Sequence, residues 1–145
     1  NDGISRMSDN FDQENNTDAN IWSSWTADLK QELDRNAGKN GRVGSELVST
    51  TDRVRIWLIS LHPGQRLEFH THVLDYFWTA TSSGKARSRY SDGRLVEMEY
   101  TVGQTQHHKF KFGESMTHDL ENTGENVLSF TTVEFLDSPN SPLNI

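Results

Sequence analysis

Gly64-Gln65-Arg66-Leu67-Glu68-Phe69-His70-Thr71-His72 is the stretch from which the rest of the chain can be read. It follows a turn and ends a predicted strand. On a strand, successive side chains alternate between faces, so His70 and His72 point the same way and can share one metal ion. Immediately upstream, Arg53 to Leu61 is rich in Val, Ile, Trp and Leu and reads as a strand, and His62-Pro63-Gly64 reads as the turn that closes it.

The same pattern continues outward. From Arg42 the chain runs in short segments rich in β-branched and aromatic residues, separated by turn clusters at Ser82-Ser83-Gly84, Ser91-Asp92-Gly93 and Asn122-Thr123-Gly124. Turns recurring about every 8–12 residues are the rhythm of a sandwich or barrel. Lys85, Arg87 and Arg89 alternate with Ala86, Ser88 and Tyr90, and Val96, Met98 and Tyr100 alternate with Glu97 and Glu99, so one face is wet and the other buried. Parity over 106–112 puts His107, Lys109 and Lys111 outside, and His108, Phe110 and Phe112 inside. An inward His108 is a candidate fourth ligand or proton-transfer group, against the alternative of a hydrogen-bonded core histidine. Upstream, Trp22, Trp25, Leu29 and Leu33 recur at three- and four-residue steps. That spacing predicts a helix over 17–38, capped by Thr17 or Asn16, stopped at Asn36-Ala37-Gly38 and packed on the body of the domain. Residues 1–16 read as a flexible leader, with Met7 the natural start and Asn1 to Arg6 an upstream extension or vector remnant. Residues 137–145 read as a tail lying over the surface, because Pro139 and Pro142 cannot continue a strand.

Two spacings carry a family resemblance. Gly64-(X)5-His70-X-His72 matches the opening of one motif of the cupin superfamily, and His118-(X)3-Asn122 matches the close of the second. The chain therefore resembles a cupin over 42–136, and it is similar in size and motif layout to compact single-domain members, some of them connected with β-alanine breakdown. The resemblance implies an all-β double-stranded β-helix, a jelly-roll barrel, here with one N-terminal α-helix. It also implies a divalent metal, Fe, Mn, Ni, Cu or Zn, on His70, His72 and His118. Where the family supplies a Glu, this chain has Asp75 one residue early and one methylene shorter. Asp75 is the expected fourth ligand if the turn adjusts; otherwise water takes that position or the site has three histidines alone. Gly113 also stands two residues too far from His118 for the second motif, which lacks its proline. Tyr76 and Glu114 adjoin the ligand segments and are candidates for positioning a substrate.

Composition bounds the function. Fourteen Lys and Arg stand against 21 Asp and Glu, a formal charge of −7, which disfavours a nucleic-acid partner. No apolar run approaches the roughly 20 residues of a membrane span. With no cysteine, any metal must sit on nitrogen and oxygen ligands. The expectation is a cytoplasmic homodimer acting on a small molecule through a metal. An oxygenase working on a small carboxylate, keto or phenolic compound comes first, and an isomerase or lyase second within the enzymes. A non-catalytic module binding a metabolite or metal is the alternative from another class.

Overall fold

The computed structural model describes residues 25–145. After one helix, α1 (Ala27–Asn36), come nine strands: β1 (Glu46–Thr50), β2 (Val54–Leu61), β3 (Arg66–His72), β4 (Tyr76–Ala80), β5 (Gly84–Arg89), β6 (Leu95–Tyr100), β7 (Thr105–His108), β8 (Met116–Asn122) and β9 (Leu128–Phe135). They form two antiparallel sheets, ordered β1-β2-β9-β4-β7 and β3-β8-β5-β6. Consecutive strands repeatedly switch sheets, which is the jelly-roll path. Inward side chains from both sheets make one apolar core, including Ile59, Leu61, Ala86, Tyr100, Leu120 and Phe130.

The predicted alternation holds where a strand persists and fails where it stops. Ala86, Ser88 and Val96 are buried while Lys85 and Glu97 are exposed. The parity assigned to 106–112 ends at His108, the last residue of β7. Beyond it the backbone turns, and Phe112 is 84% exposed rather than inside.

α1 is shorter than the helix expected over 17–38. Thr26 has extended backbone and its Oγ1 accepts from Leu29 N at 3.1 Å, so it is the N-cap. The expected caps Asn16 and Thr17, and Trp22, lie outside the described residues. Trp25 thus precedes the helix instead of lying on its stripe. The expected stop holds: Ala37 is the C-cap and Gly38 adopts φ 73°, a left-handed conformation open to glycine.

α1 packs on the outer face of β3. Trp25 stacks on Phe69 with ring centroids 5.6 Å apart, and Leu33 joins them. Behind them, Arg66 donates twice to Glu32 on α1 (2.9 and 2.6 Å) and once to Asp119 on β8 (2.8 Å). Because β3 has helix on one side and barrel interior on the other, Phe69, His70, Thr71 and His72 are all buried. The tail also packs on the surface: Asn140 Nδ2 donates to the carbonyls of Val73 and Lys111, and its Oδ1 accepts from Gly113 N. Gly113 stands at φ 87°, so this turn is built around a left-handed glycine. Among the described residues no helix is long and apolar enough to cross a membrane.

Candidate metal centre

β3 and β8 pair antiparallel with His70 directly opposite His118. His72 lies two residues along β3, on the same face. The three rings therefore meet inside the barrel, with centroids 4.8–5.2 Å apart, and one ring nitrogen from each falls within 4.8 Å of the others. His72 Nε2 and His118 Nε2 are 3.2 Å apart. Two nitrogens bound to one cation at about 2.0–2.1 Å stand roughly 3 Å from each other, so this is the spacing of neighbouring ligands.

The tautomer of His70 follows from its partner. Its Nδ1 lies 2.8 Å from the Glu68 carbonyl, which only accepts, so Nδ1–H donates and Nε2 keeps its lone pair. A ligating histidine ordinarily donates its second nitrogen in this way. The Nδ1 atoms of His72 and His118 are buried without a hydrogen-bond partner. Leaving such a group unsatisfied costs about 1–3 kcal/mol, a cost that a cation on the Nε2 atoms does not remove, because each Nδ1 then carries the ring proton. Burial pushes the His70 imidazolium pKa down to about 4, despite the opposing bond to Glu68. Burial also pushes His72 and His118 well below the ordinary histidine value, reinforced by His70 and, for His118, by Arg94. All three are neutral near pH 7, the form that binds metal. An all-nitrogen, cysteine-free set suits first-row divalent ions.

Aromatic rings wall the cluster. Tyr76 is stacked between His72 (4.1 Å) and His108 (4.6 Å), and the Tyr90 ring lies 5.3 Å from that of His118. Tyr76 faces His108 because β4 and β7 pair at those residues. Burial holds the Tyr76 phenol protonated far above neutral pH. These rings and the histidines border a cavity of about 120 Å³, together with Arg94, Gln106 and apolar side chains from both sheets.

Of the residues singled out from sequence, His70, His72, His118, Tyr76 and His108 share this cavity. Asp75 is not brought to the histidine cluster. Its Oδ1 accepts from Phe110 N at 2.9 Å, so the short carboxylate ties the loop after β7 to the start of β4. Glu114 likewise serves its own turn, accepting from Lys111 N at 2.6 Å. Asn122, the last residue of the second motif, is buried and structural: its Nδ2 donates to the carbonyls of Leu61 and Asn126 and its Oδ1 accepts from Gly124 N. Sequence reasoning missed Arg94 and Gln106. The inward parity of Tyr90 was legible, but nothing in the spacing around Asp92-Gly93-Arg94 points to a cavity wall.

No protein-family model matches the chain, and no curated protein does. Solved structures do share its fold. A cupin domain from Bordetella pertussis Tohama I superposes with a TM-score of 0.55 at 19% identity, covering 62% of this chain and 88% of that one. A conserved protein with a double-stranded β-helix domain from Klebsiella pneumoniae gives 0.52 at 19% identity, over 81% of this chain and 95% of that one. A protein from Bacillus halodurans gives 0.50, also at 19% identity, over 83% and 86%.

Proposed function

We propose that this chain, which has the cupin double-stranded β-helix fold, is a metal-dependent enzyme acting on a small molecule, with an oxygenase as the leading reaction class. The observation that carries the reading is the convergence of the His70, His72 and His118 nitrogens at metal-ligand spacing inside a cavity. A bound divalent ion supplies Lewis acidity toward a carboxylate or carbonyl, and a redox-active one also supplies electrons to dioxygen.

The chain's own residues frame that chemistry. The Glu68 carbonyl fixes the His70 ring. Apolar walls exclude water and strengthen every polar contact inside. Tyr76, kept protonated by burial, retains a hydroxyl hydrogen to donate, which suits an oxygen of the substrate. His108, stacked on Tyr76, is the proton-handling candidate. Asp75 has no part in this proposal, because its carboxylate is committed to Phe110 N.

Metal analysis of protein purified without a nickel column tests the site. Wild type is expected to carry close to one redox-active ion per chain and to consume oxygen with a small keto or phenolic acid. His70→Ala and His118→Ala are expected to lose the ion. Unchanged metal content in both variants would remove the ligand assignment. Metal retained without oxygen uptake would move the reading to isomerase or lyase chemistry, and absence of metal in wild type would favour a metabolite-binding module.

A further inference from the structure

Alternation along β3 does not by itself put the histidines inside. Leu67 lines the cavity and pairs with Leu120 on β8. Strict alternation from Leu67 would turn Phe69 and Thr71 inward and leave His70 and His72 on the outer face. The reverse is found: His70 and His72 line the cavity, and Phe69 stacks on Trp25 on the helix side. The switch happens at one point. Between the Leu67–Leu120 pair and the His70–His118 pair, β3 has two residues, Glu68 and Phe69, where β8 has one, Asp119. This is a β-bulge, whose extra residue re-aims every side chain that follows it.

A bulge interrupts the ladder, so its backbone groups need partners from elsewhere. The segment from α1 to the following loop supplies them. Phe69 N donates to Glu32 Oε2 at 2.9 Å, and the Phe69 carbonyl accepts from Asn40 Nδ2 at 3.0 Å. Two residues on, Thr71 N donates to the Asn40 carbonyl at 2.8 Å, and Thr71 Oγ1 accepts from Gly38 N at 2.8 Å. The other bulge carbonyl, that of Glu68, accepts from His70 Nδ1 at 2.8 Å. The contact that orients the His70 ring is therefore part of the bulge, and the bulge is clasped from outside by two side chains more than 25 residues upstream.

We propose that Glu32 and Asn40 are positioning residues of the histidine cluster: by holding the Glu68–Phe69 bulge they fix the face that His70 and His72 present and the bond that orients the His70 ring. This deepens the functional reading above and rests on it only for the ion. The facing of His70 is set in the metal-free chain as well.

The test uses the full chain. Long-range proton–nitrogen NMR of metal-free protein reads the His70 tautomer, and competition against a chelator reads the Zn(II) affinity. Wild type is expected to hold His70 in the Nδ1–H form alone. Asn40→Asp keeps the Oδ1 acceptor for Arg42 N and removes only the donor to Phe69. This variant and Glu32→Ala are each expected to give a mixture of tautomers and to weaken Zn(II) about 10-fold or more. Glu32→Gln retains an acceptor for Phe69 N and is expected to stay close to wild type in both readouts. Leu29→Ala, which loosens α1 within the same apolar cluster, is expected to lower the melting temperature with neither change. An unchanged tautomer and Zn(II) affinity in both Glu32→Ala and Asn40→Asp overturns the proposal. So does an equal loss in Leu29→Ala, because the effect would then follow stability and not the bulge. Failure of wild type to bind Zn(II) would remove the metal site alone, since the metal-free tautomer still decides the role of Glu32 and Asn40.

Discussion

His118 and Asp119 are neighbours on β8, yet they live in opposite kinds of environment. His118 faces the barrel interior among neutral rings, two of whose nitrogens have no protein partner. Asp119, fully buried, accepts from Arg66 Nε (2.8 Å), Arg89 N (2.7 Å) and Arg89 Nη1 (2.8 Å). The network then continues to Glu32 and Glu121. Burial alone would raise the Glu32 carboxyl pKa, but the bonds from Arg66 and from Phe69 N outweigh it and hold the group below its ordinary value. One face of the sheet is electrostatically complete and the other is left to be completed. The teaching is that the closed face fixes β3 and β8 so that the open face can keep its nitrogens convergent without paying for that geometry itself.

The hardest blow to this arrangement is Asp119→Ala. It leaves two partly buried arginines with Glu32 and Glu121 as their remaining partners, and removing a buried carboxylate that accepts charge-assisted hydrogen bonds costs about 1.5–3 kcal/mol. A drop of that size in thermal or denaturant unfolding is expected, with weakened metal uptake because His118 is the next residue. A loss under about 1 kcal/mol would show that the network is no stronger than a surface pair and that the two faces are not divided as described.

Acid should expose the open face next. The folded His70 pKa is about 4 against an ordinary value of 6.5, and His72 and His118 are depressed in the same direction. Below pH 6.5 the unfolded chain therefore takes up protons that the folded chain refuses, so stability falls as pH falls. The loss for His70 runs from about 6.5 to about 4, at up to about 1.4 kcal/mol per pH unit for each histidine. Unfolding of metal-free protein followed from pH 7.5 to 4.5 should show this slope, and His118→Ala should flatten it. A pH-independent stability across that range would mean that the rings are hydrated and the face is not closed to water.

How much of this was readable beforehand depends on what fixes each feature. The strand rhythm and the His70-Thr71-His72 parity were legible because period-two alternation is local and survives wherever a strand does. The register that sets His70 opposite His118 is a long-range fact, and the sequence carried it only through the resemblance of the two motifs. The helix start was misplaced because Trp25 fits the apolar stripe by spacing, while the cap at Thr26 is decided by backbone geometry. Phe112 was misassigned because alternation was carried past the end of β7. Arg94 and the whole outward network were invisible, since Arg66, Glu32, Arg89 and Asp119 meet only after folding.

Asp75 gives the smallest effect and the sharpest line between the two regions. It is the first carboxylate after the paired histidines, yet it behaves like the residues of the closed face: its oxygen is committed to a backbone amide, Phe110 N. Asp75→Asn keeps an acceptor there and should be nearly silent. Asp75→Ala should cost about 1 kcal/mol, the usual worth of one such bond. Neither variant should change the metal content measured by elemental analysis. Should both lose metal while keeping their melting temperatures, the carboxylate would have to swing into the cluster when an ion binds, and the division between a finished structural face and an unfinished histidine face would no longer hold.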